Sequence, residues 1–290
     1  VIALDGILLI DKPPGLTSHD VVRWIRKTLN IKRIGHGGTL DPAATGLLVV
    51  LVGSATKLFP YLSGMDKEYT GEVTVGVATD SADADGAITA EKTVEGPLVI
   101  DEALMELCGE REQVPPMYSA VKSSGKKLYE LARRGVTVER TPRPITVYEL
   151  ERTSPVSYEN GRARFSFRTR VSKGTYIRTL AVEIGERLGY PAYLSMLRRL
   201  TVGGFSLKKA HSLDEVARGD YRLLPLLSVF SENMVIQAGE KLARKARNGR
   251  ALDAAEVGSG EPEIAIANGE ELIAIYKRKN GTYHAERVWN

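Results

Sequence analysis

From Tyr69 to Ala78 apolar and polar residues alternate. Tyr69, Val73, Val75 and Val77 share one face, and Thr70, Glu72 and Thr74 share the other. A period of two marks a half-buried strand. Arg162 to Val171 repeats the pattern, with Ala163, Phe165, Phe167 and Val171 opposite Arg162, Arg164, Arg168 and Arg170. The apolar run Gly6–Ile10 reads as a short strand, and a second apolar run, Leu47–Val52, is expected to anchor the segment before it on the core. The first ends in a rigid turn, Asp11-Lys12-Pro13-Pro14-Gly15. Val22, Ile25 and Leu29 recur at helical spacing, which predicts a helix over about Asp20–Leu29, N-capped by Thr17 or Ser18. Further helices are expected near Ile100–Leu107, Lys127–Arg134 and Tyr176–Leu188. Strands interspersed with helices, without regular βαβ spacing, give the α+β class.

After Leu227 the texture changes. A basic helical stretch, Lys241–Asn248, precedes two short strands, Leu272–Tyr276 and Tyr283–Val288, joined by an Asn280-Gly281 hairpin turn. The expected organisation is a large domain over 1–229 and a small β-rich module over 230–290 that must dock on it for stability.

Composition adds limits. At 43% hydrophobic and 26% charged, the 290-residue chain reads as globular. It has no uncharged apolar stretch of about 18 residues and no basic, apolar leader, so the cytoplasm is the expected compartment. One cysteine, Cys108, excludes an internal disulfide and a cysteine-based zinc site; it is expected in the core. His19, His36, His211 and His284 never fall at metal-ligand spacing. The acidic turn Ser81–Gly86 lacks the glutamate a calcium loop needs, since its twelfth position is Lys92. Gly53-Ser54-Ala55-Thr56-Lys57 lacks the spacing of a phosphate loop. No metal site is expected.

The net charge of +4 is unevenly spread. Gly161–His211 holds eleven lysines and arginines against only Glu183 and Glu186. Such a block is the footprint expected for a polyanion; the alternative is a solvated strand face plus helix surface.

Chemistry concentrates in Gly35-His36-Gly37-Gly38-Thr39-Leu40-Asp41-Pro42-Ala43-Ala44-Thr45-Gly46. Its glycines predict a tight irregular loop that a ligand can approach closely, and Pro42 stiffens the position after Asp41. The loop presents either a placed reactive carboxylate or a turn in which Asp41 accepts backbone hydrogen bonds. A second element, Val171–Leu180, predicts a strand end, a glycine turn and a helix start, which favours anions. Arg178 there needs a partner, either Asp41 or a surface carboxylate.

These motifs, with Leu9-Ile10-Asp11-Lys12-Pro13-Pro14-Gly15, Asp66-Lys67-Glu68-Tyr69, Gln113-Val114-Pro115-Pro116-Met117-Tyr118-Ser119-Ala120-Val121-Lys122, Lys173-Gly174-Thr175-Tyr176-Ile177-Arg178 and Leu197-Arg198-Arg199-Leu200, closely resemble the stand-alone bacterial tRNA pseudouridine-55 synthases, the TruB family. The resemblance covers nearly the whole chain. It implies a mixed, largely antiparallel central sheet flanked by helices, followed by a PUA-like RNA-binding module. It implies cofactor-free conversion of a T-loop uridine of tRNA to its C-glycoside isomer: the C1′–N1 bond breaks, the base turns, and C5 rejoins the sugar. Asp41 would be the essential carboxylate, acting as a nucleophile or as a base at the sugar. Tyr69 would stack on the base, Arg178 would pair with Asp41, and Tyr176 and Leu197 would line the pocket, supported by Lys67 and Lys12. The base must be flipped out to be reached. His36 would fill the vacated space, and Gly37, Arg198 and Lys122 would contact RNA. An insertion of about 122–143 would close over the T-loop. The protein is expected to act as a monomer on tRNA, with no membrane partner. Two rival readings are a guide-RNA-dependent synthase of the box H/ACA type and a non-catalytic tRNA chaperone. A glycosidase would need a second placed carboxylate, and the spacing of Asp85 and Glu183 supports neither.

Overall fold

The computed structural model describes residues 4–119, 121–123, 126–132, 134–136 and 138–289. Strands β1 (Gly6–Lys12), β2 (Ile34–His36), β3 (Thr45–Val52) and β4 (Lys67–Val75) come first. A hairpin of β5 (Val77–Thr79) and β6 (Ile88–Glu91) follows, then β7 (Gly109–Gln113) and the short pair β8 (Lys122–Ser123) and β9 (Lys126–Lys127). Strands β10 (Arg143–Arg152), β11 (Ser157–Glu159), β12 (Arg162–Val171), β13 (Ala192–Val202) and β14 (Phe205–Ser206) complete this part. Ten of them form one mixed sheet with the path β1-β3-β13-β4-β12-β10-β7. Strands β3 and β13 meet in parallel at just two positions, Arg198 opposite Thr45 and Arg199 opposite Gly46. The other neighbours on that path are antiparallel.

β1 outruns the expected Ile10 end, because Asp11 and Lys12 continue the ladder opposite Leu47 and Gly46. Helix α1 (Ser18–Thr28) begins two residues early. Thr17 and Asp20 exchange side-chain and backbone hydrogen bonds in a capping box. Its Val21, Val22 and Ile25 bury against Leu8, Ile10, Leu48 and Val50. Helix α2 (Phe59–Ser63) follows a 3-10 turn. The alternating faces of β4 and β12 place Tyr69, Val73, Phe165 and Phe167 in one core with α3 (Ile100–Glu106) and α5 (Ile177–Leu188). Between them lies the short α4 (Leu128–Ala132). Residues 124, 125, 133 and 137 of the expected insertion lie outside the described residues. Cys108 is exposed, not buried as expected. Helix α3 stops at Glu106, and Leu107 takes the core position.

The C-terminal residues build a second sheet from β15 (Val235–Gln237), β16 (Leu252–Asp253), β17 (Glu263–Asn268), β18 (Glu271–Lys279) and β19 (Thr282–Val288), in the order β15-β17-β18-β19-β16. Asn280 and Gly281 both have positive φ, 51° and 82°, as a two-residue hairpin turn of the primed type requires. Strand β18 faces two ways. Leu272 and Ile275, with Trp289, share a core with Ile7, Leu9, Leu47 and Leu51. Ile273, Ala274 and Tyr276 pack with Ala243 and Ala246 of the basic helix at Glu240–Arg247. Lys57 strengthens the junction: its Nζ donates to the Val288 carbonyl at 2.9 Å and lies 5.3 Å from the centre of the Trp289 ring. Among the described residues no helix is long and apolar enough to cross a membrane.

Candidate active site

The loop between β2 and β3 is held from three sides. From α1, Ser18 Oγ donates to the Leu40 carbonyl (3.0 Å) and accepts the Leu40 N–H (2.8 Å). From β1, the buried Lys12 donates to the carbonyls of Pro13, Leu16 and Pro42 at 3.0, 2.7 and 3.0 Å. From β13, Arg199, only 1% exposed, donates Nε to Leu47 O (2.8 Å), Nη1 to Thr39 O (3.2 Å) and Nη2 to Gly38 O (3.0 Å). Asp41 sits at the centre of this clamp.

The glycines act differently from the expectation. Gly35, Gly37 and Gly38 do not adopt positive φ, whereas Gly46 does, at 96°. Gly37 provides space, since a Cβ there would meet the Leu62 side chain at 2.9 Å. At Gly46 a Cβ would stand 2.3 Å from the Arg199 carbonyl oxygen, because β3 and β13 touch there backbone to backbone.

Asp41 Oδ2 lies 3.0 Å from Arg178 Nε. Arg178, 5% exposed, also donates to the carbonyls of Ser81 (3.0 Å) and Tyr118 (2.6 Å), and its Nη1 is 3.7 Å from Asp83. Burial pushes the Asp41 carboxyl up from its ordinary value, and nearby Asp83 adds to this; the Arg178 guanidinium pulls the other way. The start of α5 is fixed by the buried Gln113. Its Oε1 accepts the Tyr176 N–H (2.8 Å), while its Nε2 donates to Tyr176 O (3.3 Å) and to Glu183 (3.4 Å). Arg111 closes this network on Glu183 at 3.2 Å.

Asp41, Tyr69, Tyr176, Arg178, Leu197 and Lys67 line one cavity of about 540 Å³, with His36 and Gly37 in its wall. Burial lowers Lys67 to about 8; its Nζ donates to Met65 O at 2.6 Å. Burial and the charge of Arg199 lower His36, whose buried Nδ1 has no partner among the described residues. Three expected site residues are not part of this cavity as described. Lys12 works from behind the loop, lowered by burial to about 8. Arg198 faces a neighbouring cleft and pairs with Asp11 at 2.7 Å. The Lys122 side chain lies outside the described residues.

The basic block is less free than its composition implied. Arg162 pairs with Glu91, Arg168 with Glu68, Arg170 with Glu149, Arg187 with Glu106, Arg198 with Asp11 and Arg178 with Asp41. Folding brings these acids in from distant segments, so six of the eleven cations are paired within the protein. Sequence reasoning missed Arg199, Gln113, Asp83 and Ser18 as site-builders. Alternation along β13 carried a signal for Arg199, since it shares a face with Leu197.

The arrangement presents one oriented carboxylate beside a slot walled by Tyr69, Tyr176 and Leu197, with several cations around it. That suits attack or proton removal at a sugar whose base is held against an aromatic ring.

A family model described as TruB family pseudouridylate synthase (N terminal domain) matches residues 26–177, and one described as tRNA pseudouridylate synthase B C-terminal domain matches 178–223. Relatives named tRNA pseudouridine synthase B include one from Streptococcus gordonii, 43% identical over 99% of this chain and 100% of its own length. Another, from Geobacillus thermodenitrificans, is 46% identical over 94% of each chain. Among solved structures, a chain of a Cbf5-Nop10-Gar1 complex superposes with a TM-score of 0.74, covering 98% of this chain and 84% of its own, at 27% identity.

Proposed function

The chain belongs to the TruB family of pseudouridylate synthases, enzymes that isomerise uridine to pseudouridine in tRNA, and from that premise we propose that its target is a T-loop uridine, position 55, and that Asp41 is the essential carboxylate. The observation that carries the site assignment is the carboxylate of Asp41, ion-paired to the buried Arg178 in the wall of a base-sized cavity. The target base leaves the T-loop stack and enters the slot against Tyr69, while His36 occupies the space it vacates. Asp41 acts at the sugar, as nucleophile at C1′ or as base at a sugar C–H. The C1′–N1 bond breaks, the base turns, C5 bonds to C1′, and the C5 proton is lost as N1 gains one. One acid suffices because the base is retained and no water is activated. RNA loops are read by shape and splayed bases, a role we assign to the segment about 122–143, to Gly37, Arg198 and Lys122, and to a PUA-like module over 230–290. The enzyme acts as a monomer in the cytoplasm, without cofactor or guide RNA.

Tritium release from a tRNA transcript carrying 5-tritiated uridine tests this. The expected result is release by the protein alone, none by Asp41→Asn, and similar tRNA binding by both. Tight binding without release from the unsubstituted protein would overturn the reading in favour of a chaperone; release only on adding guide RNA would favour the box H/ACA type.

A further inference from the structure

Arg199 and Lys67 in the cavity wall, and Lys12 behind the loop, donate only to backbone carbonyls, and none has a carboxylate within ion-pair distance among the described residues. Of the nearby acids, Asp41 and Asp83 are taken up by Arg178, and Asp66 acts on Lys67 only from beyond ion-pair distance. The site therefore carries excess positive charge. Arg199 is the most deeply placed, at 1% exposure, and stands directly opposite Tyr69 across the β4–β13 ladder, on the cavity face. A guanidinium has five N–H donors. Three are committed to Leu47, Thr39 and Gly38, which leaves two without an acceptor among the described residues, on a side chain that lines the cavity. A buried charge without a counter-ion is costly, so a cation kept in this state calls for an anion that arrives with the substrate or forms from it.

Resting on the proposed isomerisation, we infer that Arg199 is a catalytic residue whose two uncommitted N–H groups stabilise the uracil anion formed when the C1′–N1 bond breaks. In that step the bonding pair stays with the base, on N1 and delocalised onto the ring carbonyl oxygens. C1′ is left bonded to the Asp41 carboxylate, or double-bonded to C2′ after C2′ has given its proton to Asp41. The balance holds for either route, because the base departs as the same anion. Donors aimed at charge that develops only in the reaction act on the rate rather than on binding.

The test compares two tRNA transcripts, one with uridine and one with 5-fluorouridine, whose halogen makes the base a better leaving anion. Substrate loss is followed in single turnovers by nucleoside analysis of digests. For Arg199→Met the expected loss is about a hundredfold on uridine, the size seen on removing one such donor, but about tenfold or less on 5-fluorouridine. Arg199→Lys, which keeps a charge, is expected to retain part of the rate. In an Asp41→Asn background, tRNA affinity is expected to change by less than about threefold on removing Arg199. Equal losses on the two transcripts would overturn the inference and leave Arg199 a brace for the loop. A large affinity loss with an unchanged rate at saturation would overturn it in favour of a phosphate of the RNA as the anion. If a thermal melt shows Arg199→Met unfolded, Arg199→Lys carries the same two-transcript comparison. Turnover of the uridine transcript by the unsubstituted protein tests the isomerisation itself, so failure of the two readings is distinguishable.

Discussion

Gly46→Ala tests whether the contact between β3 and β13 sets the reactive loop. Two penalties meet at this position. An alanine forced to φ near 96° costs about 1–2 kcal/mol. Its Cβ would also lie 2.3 Å from the carbonyl oxygen and 2.8 Å from the nitrogen of Arg199. Both are backbone atoms, so no rotamer change relieves the clash and the strands must part, at the roughly 1–3 kcal/mol typical of overpacking. The total is about 2–5 kcal/mol. Gly189 supplies the control: it has φ 78° at the C-cap of α5, and a Cβ there meets nothing within 4 Å. Gly189→Ala is expected to lose only the first penalty, about 1–2 kcal/mol. Urea denaturation of both variants gives the difference directly. Turnover adds a second reading. Parting β3 from β13 moves the carbonyls of Gly38 and Thr39 off Arg199, so Gly46→Ala is expected to slow the reaction by about tenfold or more, and Gly189→Ala by less than about twofold. Equal stability losses in the two variants would refute the reasoning, because the contact would then carry no cost of its own.

Gln113→Ala strands the Tyr176 N–H at the start of α5 and is expected to cost about 1–3 kcal/mol in urea denaturation; a loss well under about 1 kcal/mol would mean that water replaces the amide. Gln113→Glu sets a second carboxyl against Glu183, itself pushed up by burial, so its deficit is expected to be smaller at about pH 5 than at pH 7. Removing the cation that holds Asp41 down, with Arg178→Met, raises the Asp41 pKa further, and the acid limb of kcat/KM is expected to move to higher pH; a limb that stays or falls would contradict the pairing. Lys67, lowered to about 8, loses its charge above that pH, whereas Lys67→Arg keeps its own, so the alkaline decline in activity is expected to shift upward in the variant.

Local signals carried much of this structure. Alternation at Tyr69–Val75 and Arg162–Val171, the Thr17 cap and the Asn280-Gly281 turn are decided by neighbours in sequence, and each element formed near its expected place. The Asp41 loop was legible because glycine, proline and a lone acid together are an unusual combination. What escaped was decided at long range. Arg199 is defined by carbonyls about 150 residues away, and Gln113 by a helix start 63 residues on. The acids that neutralise the basic block come from strands and helices that only the sheet order brings near. Lys12 looked like a pocket residue because its motif adjoins the site, yet the turn of β1 into Pro13 directs its ammonium under the loop. Strand β17 was missed although Gly258, Gly260 and Pro262 stand before it and Asn268-Gly269 after it, turn residues that bracket Glu263–Asn268.

The core that joins Ile7 and Leu9 to Leu272, Ile275 and Trp289 has a consequence for how the chain is made. Strand β1 leaves the ribosome long before β18 and Trp289, which complete its core. At 5–20 residues per second its apolar face waits roughly 15–55 s for its partners. A chain stopped anywhere before β18 would leave Leu9, Leu47 and Leu51 uncovered on one side. Nonsense mutations ahead of β18 are thus expected to yield aggregated or degraded protein rather than a shortened enzyme.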